Sequence, residues 1–535
     1  MNLAGIIDPH PADAPALISG SGELTTYGSL RQATISMQAR LADAGVAPGD
    51  RVAIMAANDE AFVVAYLGAL RCGAVAVPLN PMSPPAELRR QLGQVDVSAI
   101  IVGPGCSEIV DAIEPGPDLP VCCSISYEIP YEIVQQTAAA DPEAVDRRPE
   151  DLAALLFTAG TAGAPRAAML THGNLLANLD QVQRHPGRGI DASDCLLGVL
   201  PLSHIFGLNA VLGSALFVGA RVLLLERFEP RRALELILRH QVTVLAGTPT
   251  LYAALAAVAD KPTGGPGALA SVRLAFSGAA PLSAGVAEAW QQRFGLPLRQ
   301  GYGLTEAAPV VTTSVMDEPA RPGSIGVAIP GVEIRLVDDD EEDSLAGDPG
   351  EIWVRGPNVF PGYWRDDEAT AAAITPDGWL RTGDIAVIGD DGDLSIVDRA
   401  KDLIIVSGFN VYPAEVEEVL AGHPAVAEVA VIGDADAFRG EAVHAFVVLK
   451  GADVGAGTSA ADTLAADTLA ADTLAADTSA ADTSAADTLA AVLKGWCGQR
   501  LARYKCPAEI TFVPSLPHGV AGKLLRRSLR PAPKI

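Results

Sequence analysis

Positive charge is in short supply: against 65 Asp and Glu residues the chain carries only 38 Lys and Arg, a formal net charge of −27. A surface that acidic repels phosphate backbones and anionic lipid heads, which disfavours nucleic-acid binding and polybasic membrane docking while leaving room for a local basic site. Cysteine is sparse too. The seven Cys residues, at positions 72, 106, 122, 123, 195, 497 and 506, form no CxxC pair and no regular spacing, which fits a reducing compartment. The opening MNLAGIIDPHPADAPALISG lacks a basic start followed by an apolar run, so no secretory signal is expected and the expected location is cytoplasmic. The uncharged stretch from Cys195 to Ala220 has the length of a membrane span but is broken by Pro201, Ser203, His204, Asn209 and four glycines. A turn between two buried elements is expected there instead. Peripheral membrane contact and a homodimer stay open.

What is present is enough apolar material for several cores: 535 residues, 49% of them hydrophobic, or three to four units at roughly 150 residues per domain. Up to about residue 400, β-branched or apolar runs alternate with Ala/Leu-rich helical stretches. Arg51 to Met55 precedes Glu60 to Arg71, Ala74 to Pro78 follows, and Ala220 to Leu225 precedes Pro230 to His240. Such alternation predicts an α/β fold with parallel strands and helices on both faces. From Val327 to Val397 the runs EIRLV, EIWVR, IAVI and LSIV are short and separated by Asp/Gly turns, which predicts a small antiparallel β unit. After the charged residues Asp398, Arg399, Lys401 and Asp402 comes a fresh strand, a helix and a strand pair, so domains 1–400 and 401–535 are expected.

Between Ser459 and Thr488 the pentapeptide SAADT or LAADT runs for six copies. Each five-residue step advances ~140° around a helix, so no stable stripe forms; a disordered or frayed-helical acidic insertion is expected.

Thr158 to Ala168, TAGTAGAPRAA, follows the apolar run LAALLF and reads as a small-residue loop after a strand. Gly160 and Gly163 permit tight turns, the hydroxyls of Thr158 and Thr161 join backbone N–H groups in wrapping phosphate oxygens, and Arg166 adds a fixed positive charge. Taken alone, the segment reads more readily as a plain Gly/Ala turn than as a phosphate loop. It is not a Walker loop, because no G-K-[ST] follows; GSGELT at Gly20 lacks the third glycine of a dinucleotide loop, and no G-x-S-x-G elbow occurs.

Further along stand PLSHIFGL at Pro201, SGAAPLS at Ser277, QGYGLTE at Gln300, GWLRTGD at Gly378, DRAKDLIIVSGFNVYPAEVE at Asp398 and GKLLRRSLR at Gly522. In this order, and with the loop at Thr158, they resemble the signature series of the adenylate-forming superfamily, most closely its fatty acid and other acyl-CoA synthetases. The resemblance runs from GDRVAI at Gly49 to the C-terminus, excluding the repeat. It implies a large N-terminal AMP-binding domain of α/β layers plus a small β unit, and a small mobile α+β C-terminal domain. It also implies a two-step reaction: a carboxylate attacks the α-phosphate of ATP to give acyl-adenylate and pyrophosphate, and coenzyme A then displaces AMP. Bringing two anions together requires charge neutralisation and in-line positioning.

Residue by residue, the resemblance makes Glu306, beside Thr305, the acid that binds Mg²⁺, a role a carboxylate suits chemically. Within Gly301, Tyr302 and Gly303, the Tyr302 ring offers a face for adenine. Asp384 matches the acid that accepts from both ribose hydroxyls, and Arg399 an Arg that reaches the nucleotide. Lys523 matches the lysine that bridges carboxylate and phosphate during adenylation. Lys401 takes the hinge position, Gly408 lies beside the pantetheine channel, His204 near the acyl carboxylate, and Gly278 on the floor of the acyl and adenine pocket. The chain departs from the pattern at Ala159 and Ala162 (commonly Ser or Thr), Arg166 (Lys), Ala167 (Gly) and Ala521 (Ser). Each lost phosphate-binding hydroxyl is worth roughly 0.5–1.5 kcal/mol. The expected activity is ATP-dependent acyl-CoA synthesis from a fatty or other hydrophobic acid, using ATP, Mg²⁺ and coenzyme A. The alternatives are an acyl-AMP ligase loading a carrier protein, disfavoured by the lack of an insertion before GWLRTGD, and a degenerate nucleotide or acyl-CoA binding protein.

Overall fold

The computed structural model describes residues 1–113, 124–126, 143–158, 165–187, 189–259, 265–314, 323–338, 340–345, 347–389, 392–399, 404–406, 409–436, 440–450, 478–501, 503–518, 524 and 526–529. Two compact units emerge. The first comprises Met1–Arg335, Trp353–Thr382 and Gly389–Ser395; the second comprises Leu336–Ile352, Gly383–Ile388 and Ile396–Ile535. The strands Glu333–Val337, Gly350–Arg355, Leu380–Ile388 and Leu394–Arg399 each contribute residues to both.

In the first unit the expected alternation of strand and helix is realised in two sheets. One has a parallel centre in the order Leu298–Gly303, Leu274–Ser277, Val244–Gly247, Cys195–Gly198, Arg221–Leu224, Pro15–Ile18. Antiparallel strands flank it: Val310–Thr313 and Ser324–Ala328 on one side, Leu24–Thr26 on the other. The other sheet runs Ser124–Ser126, Ala99–Val102, Arg51–Met55, Val75–Leu79, Leu152–Thr158, Arg166–Thr171, parallel except for its last pair. Strands such as VAVPL at Val75 are buried along their whole length, as strands covered on both faces must be. Helix Pro230–His240 turns Ala233, Leu234, Leu236 and Ile237 inward at helical spacing, into a core that also takes Tyr252, Trp290 and Phe294. The stretch from Cys195 to Ala220 is a buried strand, a turn at Pro201 to His204, a π-helical segment Phe206–Gly213 and a short helix Ser214–Val218. Among the described residues no helix is long and apolar enough to cross a membrane.

One buried histidine ties the N-terminal segment to this unit. His172, fully buried, accepts the Leu3 N–H through Nδ1 at 3.0 Å, while among the described residues its Nε2 has no hydrogen-bond partner. Burial, reinforced by the Arg147 charge and opposed by Asp151, lowers its pKa to about 4. The unfolded chain therefore takes up a proton near pH 6.5 that the folded chain refuses until about pH 4, so His172 stabilises at neutral pH and that stability is lost as pH falls across this window. Asp59, lifted to about 6 by burial, titrates nearby with the opposite sign. The difference in thermal unfolding between wild type and His172→Gln isolates the histidine: at about 1.4 kcal/mol per pH unit, their stability gap should change steadily between pH 6 and pH 4.5. A constant gap would contradict the assignment.

The second unit carries its own sheet, Phe409–Val411, Ile404–Val406, Gly440–Leu449 and Val426–Asp436, with Glu509–Phe512 parallel beside Gly440–Leu449. Helix Pro413–Ala421 packs Val416 and Leu420 into its core. The pentapeptide repeat lies outside the described residues up to position 477; its last two copies form the start of helix Thr478–Gly498. That helix is anchored by Leu489, Leu493 and Cys497, four residues apart and packed into the same core.

Candidate active site

The small-residue loop joins the antiparallel strands Leu152–Thr158 and Arg166–Thr171, so it is the tip of a hairpin rather than a strand-to-helix turn. Gly160, Thr161 and Gly163 lie outside the described residues. Its two ends are fixed: Thr158 pairs with Arg166, and the Thr158 hydroxyl reaches the Arg166 carbonyl at 3.4 Å. Helix His172–Gln183 starts directly after the hairpin, locked by a reciprocal capping box between Thr171 and Asn174.

Glu306 sits in a short 3-10 turn, Thr305–Ala307, after the strand Leu298–Gly303. Three buried asparagines hold the backbone around it. Asn358 donates to the Ala307 carbonyl at 2.8 Å, Asn209 to the Ala308 carbonyl at 2.8 Å, and Asn178 bonds both Val310 O and Val310 N. Each side chain satisfies carbonyls or amides that would otherwise be stranded in the interior, which fixes where the carboxylate starts from. Glu306 is half-buried, and its Oε1 accepts the Tyr363 hydroxyl at 2.8 Å. Burial, and then the Glu306 charge, push the Tyr363 phenol above its ordinary value, so it stands as a neutral donor. Arg166 lies 5.7 Å from the centre of the Tyr363 ring and pairs through Nε with Asp366 Oδ2 at 3.1 Å. The Glu306 carboxylate and the guanidinium of Arg166 from the hairpin thus meet around one tyrosine.

Gly278, His204 and the glycines around Tyr302 lie at neighbouring strand ends and the turn that follows the strand Cys195–Gly198. Gly278 bonds its N–H to Gly247 O at 3.0 Å, and a Cβ placed on it would stand 3.1 Å from Phe206 Cε1. Phe206 in turn sits edge-on to Phe276, ring centres 6.4 Å apart. His204 is half-buried, its Nδ1 accepting from Phe206 N at 3.2 Å. Gly301 and Gly303 are close-approach positions: a Cβ would meet Phe276 at 2.3 Å in the first and the Pro309 carbonyl at 2.2 Å in the second. Tyr302, between them, is half-buried.

Asp384 belongs to the second unit, buried on strand Leu380–Ile388, where the preceding Gly383 N–H donates to Glu351 at 2.7 Å. Arg399 ends the strand Leu394–Arg399. Lys401, Gly408 and Lys523 lie outside the described residues, as does the Arg399 side chain. The first unit thus brings together Thr158, Arg166, Thr305 and Glu306 at one place and His204 with Gly278 at another. Tyr363 and Asp366, which complete the first group, had not been singled out from the sequence. Inside PGYWRDDEAT they read as turn residues, and no local spacing links them to partners 57 and 200 positions away.

Residues 7–364 match the model of the AMP-binding enzyme family, and residues 415–471 that of the AMP-binding enzyme C-terminal domain. The chain belongs to the AMP-binding enzyme family. Within this adenylate-forming group it is 35% identical to a long-chain-fatty-acid–CoA ligase of Escherichia coli O157:H7, over 97% of this chain and 92% of that one. It is 34% identical to 4-coumarate–CoA ligase 1 of Arabidopsis thaliana, over 97% and 90%. The crystal structure of ATP-bound MatB from Rhodopseudomonas palustris superposes with a TM-score of 0.82 at 30% identity, covering 99% of this chain and 98% of the other. This AMP-binding enzyme is an AMP-forming acid–thiol ligase that uses ATP, a carboxylic acid and coenzyme A.

Mg²⁺, typical of the family, fits the residues present. Among the described residues no cluster of three or more His, Cys, Asp or Glu side chains could hold a metal alone. A single carboxylate with one oxygen engaged and the other open is what a cation shared with substrate phosphates requires. Glu306 would hold it, and the ion would neutralise phosphate charge there.

Proposed function

We propose that this ligase activates a fatty or other hydrophobic carboxylic acid as its acyl-adenylate and transfers the acyl group to coenzyme A. One observation carries the choice of acid. The described side chain packed against Gly278 is the apolar Phe206, with Phe276 edge-on to it and the apolar segment Phe206–Gly213 following, a surface that suits an uncharged acyl group. In this reading Arg166 and the hairpin tip receive the ATP phosphates, Tyr302 the adenine and Asp384 with Arg399 the ribose. Lys523 neutralises the attacking carboxylate during adenylation. The segment from Lys401 onward is a mobile domain that then withdraws Lys523 and presents the face bearing Gly408 to coenzyme A. A cytoplasmic location belongs to this reading, on the scattered cysteines that suit a reducing compartment.

The test is to incubate purified enzyme with Mg²⁺-ATP and acids from acetate to long-chain and aromatic, with and without coenzyme A, and to identify products by mass spectrometry. Acyl-CoA from apolar acids supports the proposal; acyl-adenylate that accumulates with coenzyme A ignored would move the enzyme to carrier-protein loading. Gly278→Val should separate the pockets further. Its Cβ presses on Phe206 where no positive φ is involved, so KM for bulky acids should rise by about tenfold, at ~1.4 kcal/mol per decade, with KM for ATP unchanged. An unchanged KM for bulky acids would place Gly278 away from the acid.

A further inference from the structure

The segment Phe360–Asp366 is held to the hairpin and to the Glu306 turn far more firmly than a surface connection needs. Phe360 N donates to Glu306 O at 2.9 Å, Met169 N to Gly362 O at 3.0 Å, and Trp364 N to Ala167 O at 2.8 Å. Tyr363 N donates to Thr370 Oγ1 at 2.9 Å, and the Tyr363 ring stands edge-on to Phe360 with centres 4.9 Å apart. The backbone also takes uncommon conformations: Gly362 has φ +141, which its missing Cβ permits, and Arg365, a non-glycine residue, has φ +53. Such conformations persist only where surrounding bonds over-determine them.

What the segment carries are two side chains, each gripping one charged group of the phosphate site by one atom. Tyr363 Oη engages Glu306 Oε1 alone, and among the described residues Oε2 makes no hydrogen bond. Asp366 Oδ2 engages Arg166 Nε alone, and among the described residues the two terminal nitrogens of Arg166 make none. Asp366 Oδ1 is already committed, accepting Ala369 N at 2.9 Å as the cap of helix Asp367–Ala373. One carboxylate oxygen and one guanidinium fork are left without a hydrogen bond among the described residues, on side chains whose other ends are already held.

We propose that Tyr363 and Asp366 are positioning residues of the adenylation step, a brace that presents Glu306 to magnesium and Arg166 to the ATP phosphates. The brace rests on the roles assigned to Glu306 and Arg166 above. Hydrogen bonds to a metal-binding carboxylate orient it, and losing one typically costs 10–100-fold in metal affinity. The two halves act on different ligands, so they are separable.

The test measures ATP binding by calorimetry in EDTA and in excess Mg²⁺, together with acid-dependent ATP–pyrophosphate exchange. Tyr363→Phe deletes one oxygen and keeps the ring contacts. It should leave ATP affinity in EDTA unchanged, shrink the gain produced by magnesium about tenfold, and raise the half-saturating Mg²⁺ in exchange by the same factor, with the rate at saturation near wild type. Asp366→Asn keeps a competent helix cap and removes only the charge on Arg166. It should weaken ATP binding severalfold in EDTA and in Mg²⁺ alike. A magnesium gain in Tyr363→Phe equal to wild type overturns the brace, and so does an Asp366→Asn enzyme that binds ATP as wild type does. Asp366→Asn keeps the proposal testable should the phenol prove essential for folding. A wild-type enzyme with neither magnesium gain nor exchange would overturn the functional reading beneath it; exchange present with both variants unaffected removes the brace alone.

Discussion

Glu306→Gln is expected to lower acid-dependent ATP–pyrophosphate exchange by about 10²–10³-fold, the scale on which removing one preorganised electrostatic group acts in other active sites. The substitution is nearly isosteric. The amide oxygen of Gln still accepts the Tyr363 hydroxyl, and the backbone of the turn stays pinned by Asn358, Asn209 and Asn178. What disappears is a formal negative charge at the point where a divalent cation and a polyanion must share a site, so the loss falls on kcat and on the magnesium requirement, not on folding. Melting temperature and KM for the acid should stay near wild type. Exchange within tenfold of wild type would show that this carboxylate does not hold the metal.

Lys523→Ala is expected to reduce adenylation by about 10²–10³-fold while leaving thioester formation from supplied acyl-adenylate within a few-fold of wild type. The asymmetry follows from chemistry. Adenylation pushes a carboxylate against a phosphate, and a compact ammonium can neutralise both oxygens as charge develops. In the second half-reaction the acyl group is already neutral and no such clash exists. Single-turnover assays started from acid plus ATP, or from synthetic acyl-adenylate plus coenzyme A, separate the two. Equal losses in both halves would make Lys523 a structural residue of the C-terminal segment, and no loss in either would remove it from the chemistry.

The sequence made the charged and glycine-bearing motifs visible because each concentrates unusual residue types within a few positions: TAGTAGAPR, YGLTE and SGAAPLS are legible without a structure. The strand and helix alternation was equally readable, down to the helix Pro230–His240 and a one-residue offset at the strand Val75–Leu79. What could not be read were interactions whose partners are ordinary residues far apart. Tyr363 is one tyrosine in a turn-rich stretch until the backbone bonds between Gly362 and Met169 bring it to Glu306. Nothing in the sequence sets His172 apart, and only folding places its ring against the Leu3 amide. The π-helical geometry at Phe206–Gly213 escaped for a different reason: its apolar run shows no period that would tell it from an α-helix. The hairpin at the phosphate loop was read as a strand followed by a loop, which is correct for its first half and silent on the antiparallel return.

The anchor of helix Thr478–Gly498 has a bearing on how this gene can change. Leu489, Leu493 and Cys497, which dock the helix, all lie beyond the last pentapeptide copy at Thr488, so these three docking contacts sit outside the array. Near-identical tandem units are the usual substrate for slippage during replication, and here a gain or loss of one unit adds or removes five residues ahead of the anchor without shifting its register. A change in array length thereby leaves the spacing of these three contacts intact. Natural variants of this enzyme should differ in copy number while keeping the Leu489–Leu493–Cys497 spacing unchanged.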